Sequence, residues 1–381
     1  MDRAFLEYYE DELAHVRGMA AEFADMHPSV ARNLSLDAVP CPDPYVERLL
    51  EGVAFLAART RLRLDSEGAR FARATIEALH PDLVAPTPAV GLAALRPGRQ
   101  LQGMPGGHVV ARGTRLVAGL RPGLATRATY LTAQDVALWP IEIAGCRYLR
   151  DRAALAAAGI GAVGGAAGET ALCVTLARVG PGALGELALD RIDLHFRLRG
   201  AALFDALFGA VAAVGARPDG AGPLAAVAGP EMLGIADAEA LLPRARPGFE
   251  GYRLLREYFA LPERFHFARV AGLGPAVRRA AREVEIAFLL RRPAPELADV
   301  GAGDLSLFVT PVVNLFARDC DVLEIDPRRS RQAAHADRTR ARDFEIHSVV
   351  HVEDADQDGP DAAVPPLFGL AASRGWTYAA E

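Results

Sequence analysis

The chain has 381 residues, 51% of them hydrophobic, and a formal net charge of −6 at pH 7, which supports two or three globular domains and excludes general nucleic-acid binding through a basic field. Its 42 Lys/Arg residues are all arginine, so it holds no Walker A lysine, Schiff-base lysine or lysine general base. The four cysteines, Cys41, Cys146, Cys173 and Cys320, are scattered; they match neither a disulfide framework nor a zinc spacing and point to a reducing compartment.

The first eighty residues read as helices. Phe5, Tyr9, Leu13, Val16, Ala20 and Phe23 recur at steps of three and four, an apolar stripe along one face, and Pro28 ends that helix. The start is acidic and amphipathic, which is not a signal peptide. A second helix begins after CPDP, with Asp43 as cap and Pro44 in the first turn. Its periodic residues are Val46, Leu49, Leu50, Val53, Leu56 and Thr60. A third helix runs through SEGARFARATIEAL and stops at His80-Pro81. Outer faces carry Glu7, Glu10, Asp11, Arg48 and Arg59.

The Pro-rich segment 82–88 reads as a stiff linker after an N-terminal helical domain, 1–81. Beyond it the period becomes alternating, predicting a β-rich domain over 89–200. Expected strands are AVGLAAL, VVARGTRLVAG, ATRATYLTAQ, LWPIEIAGCRYL, TALCVTLARV and LALDRIDLHFRL, the last with a bulge near Arg191. Residues 153–168 read as a small-residue loop. A mixed α+β domain follows over 201–381. It is predicted to hold helices at 201–214 and 250–261, then strands at 264–270, 283–290, 307–319, 321–326 and 343–353. No uninterrupted apolar run reaches membrane-spanning length, so a soluble cytoplasmic protein is expected.

Chemical motifs are sparse. GIGAVG, 159–164, spells a dinucleotide-binding pattern, but no strand precedes it and no helix opens after it, which favours a plain loop. His347 and His351 would share one strand face about 13 Å apart, too far for one ion, with Phe344, Ile346 and Val350 as the core face. The arginine-rich run 326–342 lacks aromatics for base stacking and reads as a solvated or partner-facing loop.

The densest cluster is GYRLLREYFALPERFHF, 251–267. Its spacing predicts a helix, a stop at Pro262, and a half-buried strand in which His266 points away from Phe265 and Phe267. Leu254, Leu255, Tyr258, Phe259 and Leu261 are expected to pack inward. Arg253, Arg256 and Glu257 are left off that face, facing solvent or a partner. Glu257 and Glu263 form a carboxylate pair that a hydrolase could use, provided they share a cleft.

Four blocks resemble the TssF family (also VasA or ImpG), baseplate subunits of bacterial type VI secretion systems. They are FLEYYEDELAHVRGMAAEFADMHPSVARNL; DPYVERLLEGVAFLAARTRLRLD with ALHPDLVAPTPA; GYRLLREYFALPERFHF; and VTPVVNLFARDCDVLEIDPRRS. They stand in family order across nearly the whole chain. Family members usually continue well past a segment like PLFGLAASRGWTYAAE, so a C-terminal domain is expected to be missing.

The resemblance implies a scaffold without catalytic residues, cofactor or metal, and an α+β fold with an N-terminal helical bundle, similar to wedge proteins of contractile phage tails. It implies a wedge with TssG, a second TssF copy, TssK and TssE, assembled around the VgrG spike and docked on the membrane complex. On that reading the stripe Phe5, Tyr9, Leu13, Val16 and the residues Arg253, Arg256 and Glu257 are candidate partner contacts. The stripe packing only within its own domain is the competing expectation. A related contractile injection machine, or a carbohydrate-active hydrolase, is the alternative function.

Overall fold

A computed structural model describes residues 3–36, 38, 40–120, 122–123, 125–243, 249–329, 332–355, 363–365 and 377–378. The chain divides into two units, Met1–Val84 and Ala85–Glu381.

In the first unit α1 (Arg3–Met26) and α2 (Pro28–Asn33) flank a break at His27, where Pro28 denies α1 its next backbone donor. Helix α3 (Pro44–Leu79) starts where Asp43 Oδ1 accepts from the Tyr45 N–H at 2.8 Å, with Pro44 in the first turn. It runs 36 residues, about 54 Å, and α4 (Pro81–Val84) follows. Two helices were expected here and one forms. No proline interrupts 45–79, a lone interior glycine such as Gly68 costs only about 1 kcal/mol, and the Ser66 hydroxyl donates to the Arg63 carbonyl at 2.7 Å.

Tyr8 pairs with Asp65 (2.7 Å), Glu12 with Arg61 (2.8 Å) and Arg17 with Glu47 (3.0 Å). As numbers rise on α1 they fall on α3, so the two helices run antiparallel. Ala54 and Ala58 are fully buried on α3; residues without bulk let helices approach closely. A small cluster of Ala20, Ala31, Leu36 and Cys41, with Phe23, Val46 and Leu50 against it, closes one end.

The second unit contains, in chain order, β1 (Val90–Ala94), β2 (His108–Val110), β3 (Arg115–Val117), β4 (Thr129–Thr132), β5 (Val136–Leu138), β6 (Ile141–Leu149), α5 (Arg152–Ala157), β7 (Thr170–Arg178), β8 (Arg191–Phe196), α6 (Gly200–Phe204), β9 (Val211–Pro218), β10 (Ala225–Val227), β11 (Glu231–Met232), α7 (Glu250–Ala260), β12 (Phe267–Ala271), α8 (Gly274–Val277), β13 (Glu283–Leu290), β14 (Leu305–Ser306) and β15 (Val309–Val313). The pairings between these strands are antiparallel.

A five-stranded sheet, β10-β9-β13-β7-β6, joins strands from both sides of residue 200. Its central strands are buried on both faces, and the period-2 alternation divides them. Leu172, Val174, Leu176, Val284, Ile286, Phe288 and Leu290 face the main core. Ala171, Cys173, Ala287 and Leu289 face a smaller cluster with Leu155, Ile160 and Val163. A second sheet, β11-β12-β8-β14, contributes Ile192, Leu194, Phe196, Ala268 and Val270 to the main core. The remaining sheets are β1-β15-β4-β3 and the pair β2-β5.

Several local expectations need correction. Residues 153–168 are not merely a loop: α5 forms, capped by Asp151, and Ile160 and Val163 cover the five-stranded sheet. The helix expected over 201–214 ends early, in a π turn over Asp205–Gly209. Val211–Val214, rich in β-branched residues, then joins β9 beside β13. The break in alternation near Arg191 marks where β8 starts rather than a bulge. The strand expected from Arg264 begins at Phe267, because a 3-10 turn over Pro262–Phe265 comes first. Segments 321–326 and 343–353 form no regular strand, and Val350, expected in the core, is 88% exposed. Phe344 instead lies half-buried under the guanidinium groups of Arg318 and Arg340.

Candidate functional site

Helix α7 buries the charged side that its apolar spacing predicts to face outward, while Leu254 is half-buried and Leu261, at the end of the helix, packs as expected against Leu241 and Leu242. Arg253 and Glu257 are buried, Glu257 at 0% exposure. Leu255, Tyr258 and Phe259 are exposed, Phe259 at 80%. Arg256 is half-buried and donates from Nη2 to the Ala85 carbonyl at 3.2 Å. The placement of Arg253 and Glu257 off the packed face is therefore overturned.

The reason lies in what α7 packs against. Residues 233–242, which include a 3-10 turn over Asp237–Glu239, present backbone amides and carbonyls rather than side chains. The Glu257 Oε1 accepts from the N–H groups of Leu241 (3.0 Å) and Leu242 (2.9 Å). The Arg253 Nη2 donates to the Ile235 carbonyl at 2.9 Å, and Arg264 Nη2 to the carbonyls of Gly234 (2.6 Å) and Glu239 (3.0 Å). Between the two cations sits the Glu257 carboxylate, 3.2 Å from Arg253 Nη1 and hydrogen-bonded by Arg264 Nη1. Apolar side chains here would leave those backbone groups dry and unpaired, at about 1–3 kcal/mol each.

Electrostatics sharpen the picture. Burial, with the Arg253 charge beside it, pushes the Arg264 guanidinium down to about 10, so it remains charged at neutral pH. Arg112 closes the loop from outside, donating to the carbonyls of Ala238 (2.6 Å) and Ala240 (2.7 Å). Gly234 is required at its position: its φ is +94° and a Cβ there would stand 3.1 Å from Arg264 Nη2. Arg264, read from sequence only as part of a strand, is thus the third member of a buried ionic group. The signal for it was the pairing of Arg253 with Glu257 at i, i+4, which suits an ion pair on either face of a helix.

Outward, the ring of Phe249 lies edge-on to Tyr252 at 5.5 Å between centroids, and Tyr258 edge-on to Phe259 at 5.7 Å. Gly251 leaves room for the Phe249 ring to fold back across the helix. At 100° per residue, Tyr252, Leu255 and Phe259 align at i, i+3 and i+7 as one ridge.

This arrangement has no acid–base geometry. The Glu257 oxygens are occupied by backbone and guanidinium donors, with no access to solvent. Glu263 is exposed on the next turn. Neither lines the cleft of about 520 Å³ beside Val163, Leu207, Val211 and Val227, nor that of about 480 Å³ beside Val53, Leu56, Thr60 and Leu64. The hydrolase reading needs a shared cleft, and neither of these two supplies one, since Glu257 is enclosed and Glu263 is exposed.

The other sequence candidates resolve as follows. GIGAVG follows α5 and leads into β7, with positive φ at Gly159 and Gly164. Arg217 donates to the carbonyls of Ala158 and Gly159 at 3.0 and 3.2 Å, so this run is a pinned cover. The His347 ring contacts the Ser348 hydroxyl at 3.2 Å and His351 contacts Glu353 at 2.6 Å. Among the described residues no group of three or more His, Cys, Asp or Glu could hold a metal ion. Burial pushes the thiols of Cys146 and Cys173 up to about 12, which leaves them unreactive. No helix among the described residues is long and apolar enough to cross a membrane.

On α1, Phe5, Tyr9, Leu13 and Val16 are all half-buried, and the Phe5 ring meets Phe55 of α3 edge-on at 5.2 Å. The more exposed apolar face of this unit is on α3. Leu49, Val53, Leu56 and Leu64 lie on the side away from Ala54 and Ala58, with Leu56 at 64% exposure.

The family described as "Type VI secretion system, TssF" matches residues 1–380. The chain is 38% identical over 383 residues to the type VI secretion system component TssF1 of Pseudomonas aeruginosa (strain PAO1), covering 97% of this chain and 60% of that protein. Its fold is similar to a chain of the type VI secretion system TssK-TssF-TssG baseplate subcomplex solved by cryo-electron microscopy. That likeness has a TM-score of 0.64 and 24% identity, and covers 84% of this chain and 58% of the other. The chain thus spans about three fifths of the length of the relatives it matches. A match running from residue 1 to residue 380, together with a relative more than a third identical, places the chain in the TssF family of the type VI secretion system.

Proposed function

We propose that this chain is a structural subunit of the type VI secretion baseplate that works through protein–protein interfaces and not through catalysis. The observation that carries the reading is the second apolar face of α3, Leu49, Val53, Leu56 and Leu64, on the side away from its own helix partner. A helix apolar on two sides buries one within its unit and needs a second partner for the other. TssG and TssK are the proposed partners, supported by the composition of the similar subcomplex. A wedge with TssE and a second TssF copy, similar to contractile phage tails, rests on the family resemblance. So do its assembly around VgrG and its cytoplasmic position facing the inner membrane complex. On this reading the α1 stripe, Phe5, Tyr9, Leu13 and Val16, serves the interface by setting the α1–α3 hairpin, and α3 makes the contact.

Co-purification with TssG tests this. Leu56→Glu should abolish capture while the melting temperature of the chain is unchanged. Leu13→Glu should abolish it while also loosening the hairpin. Full capture of both variants would refute the assignment of this interface.

A further inference from the structure

The stretch 343–353 alternates like a strand in sequence and yet forms no regular strand in the fold. We propose that residues 344–352 are an edge strand by which two copies of this chain pair, antiparallel about a two-fold axis at Ser348. This contact adds to the scaffold reading and does not depend on its partners. The segment runs without a turn or bend. Phe344, under the guanidinium groups of Arg318 and Arg340, holds one end to its own unit. At the other end Glu353 bridges Ala363 antiparallel, and the Val364 N–H donates to the Val352 carbonyl at 2.9 Å. The Tyr378 N–H donates in turn to the Pro365 carbonyl at 3.2 Å, so a short ribbon is begun on one side. Main-chain groups alternate between the two edges of a strand. Since Val352 points its carbonyl at Val364, the main-chain groups of Glu345, Val349 and His351 point to the opposite edge. Among the described residues that edge pairs with no strand. An open extended edge is a template for another strand, and Ile346, Val349 and Val350 are exposed along this one, Val350 at 88%.

The segment specifies its occupant because it is its own complement. An antiparallel second copy centred on Ser348 sets Phe344 opposite Val352 and Ile346 opposite Val350 on one face, aromatic and β-branched pairs that favour a sheet. On the other face it sets Glu345 opposite His351, twice by symmetry. The pairing ends at Phe344 and Val352, beyond which Asp343 would meet Glu353. Only registers that keep the outward main-chain groups facing each other are open, so the nearest alternatives are those that keep this parity. One opposes Glu345 to Glu353 and His347 to His351; the other opposes His347 to the second copy's His347. Parallel pairing would set like charges side by side. Charge and apolar pattern therefore select one register and one partner, a second copy. A single strand pair buries less than the about 1,200 Å² of a stable interface, so this dimer is weak and concentration-dependent.

Sedimentation equilibrium of the purified chain, together with site-specific crosslinking, tests the inference. The wild-type chain should show a monomer–dimer equilibrium. Val349→Pro removes an N–H from the pairing edge and should abolish the dimer. The melting temperature should be unchanged, because Val349 lies outside the folded sheets. In this register the two Ser348 Cα atoms stand about 4.5 Å apart, within the disulfide range of about 4.4–6.8 Å, whereas the two Glu345 stand about 20 Å apart. In a Cys320→Ser background, which removes the exposed thiol, Ser348→Cys should form a disulfide-linked dimer at least about tenfold faster than Glu345→Cys on mild oxidation. A monomer at every concentration would overturn the proposal. So would a dimer that Val349→Pro leaves intact, or equal crosslinking at positions 345 and 348. Capture of TssG reports on the scaffold reading separately: a chain that stays monomeric and still captures TssG overturns this interface and leaves that reading standing.

Discussion

Replacing Glu257 by alanine removes the fully buried anion between two buried cations and leaves them only the partly exposed Asp237, 3.6 Å from Arg253. The carboxylate accepts from two backbone N–H groups and two guanidinium groups, all buried. Without it Arg253 and Arg264 repel each other out of water, and the N–H groups of Leu241 and Leu242 lose their acceptor. Breaking a buried ion pair by removing one partner costs about 3–5 kcal/mol. For a unit of this size that corresponds to a fall in melting temperature of roughly 10 °C. Urea unfolding followed by tryptophan fluorescence and far-UV circular dichroism gives the free energy directly. A second variant separates charge from packing: Arg253→Met/Glu257→Leu/Arg264→Met replaces all three by apolar groups, and should lose far less than Glu257→Ala. A loss below about 1 kcal/mol for Glu257→Ala, or equal losses for the two variants, would refute the claim that this ionic group fixes the orientation of α7.

Other outcomes follow from the same physics. His195 is buried between the Phe267 ring, 4.6 Å away, and the neighbourhood of His266 and Glu263. Burial first, then the His266 charge, pushes it down to about 4. A histidine depressed in the fold stabilises fully above its unfolded value near 6.5 and loses that contribution as pH falls. Stability should therefore drop by up to about 1.4 kcal/mol per pH unit between about pH 6 and pH 4, and His195→Gln should flatten that slope in acid titrations of the melting temperature. Asp219 accepts from the N–H groups of Ala281, Arg282 and Glu283 at 2.8–3.0 Å. Burial raises its carboxyl, but these three donors hold it below the usual range. Asp219→Ala should cost about 1–2 kcal/mol in urea unfolding near neutral pH, and the cost should shrink as pH falls below about 4. Gly234→Ala should destabilise by about 1–3 kcal/mol, since it combines a left-handed φ with contact on Arg264.

Much of the fold was legible in the sequence, and the failures share a cause. Helix periods, proline stops and buried strands were readable because each depends on residues close in sequence. Asp43-Pro44 opens α3 and the alternation in 283–290 gives β13. The segment 201–214 was misread because pairing with β13, some seventy residues on, decides that Val211–Val214 extend. In α7 the spacing correctly showed two faces, one apolar and one charged. Which face goes inward depends on bare backbone groups of residues 234–242, and no local pattern encodes that. The same limit applies to α3, where Val46 and Leu50 lie toward α1 but Leu49, Val53 and Leu56 lie away from it. The family resemblance, carried by four separated blocks, reached the TssF family, which residue chemistry alone did not.

The central claim is that this chain is an assembling scaffold. Native mass spectrometry of the purified chain mixed with TssG and TssK tests it most directly. The account predicts a species whose mass contains this chain together with both proteins, depleted by Leu56→Glu. Masses of the separate proteins alone, under conditions where TssG and TssK are folded, would contradict it.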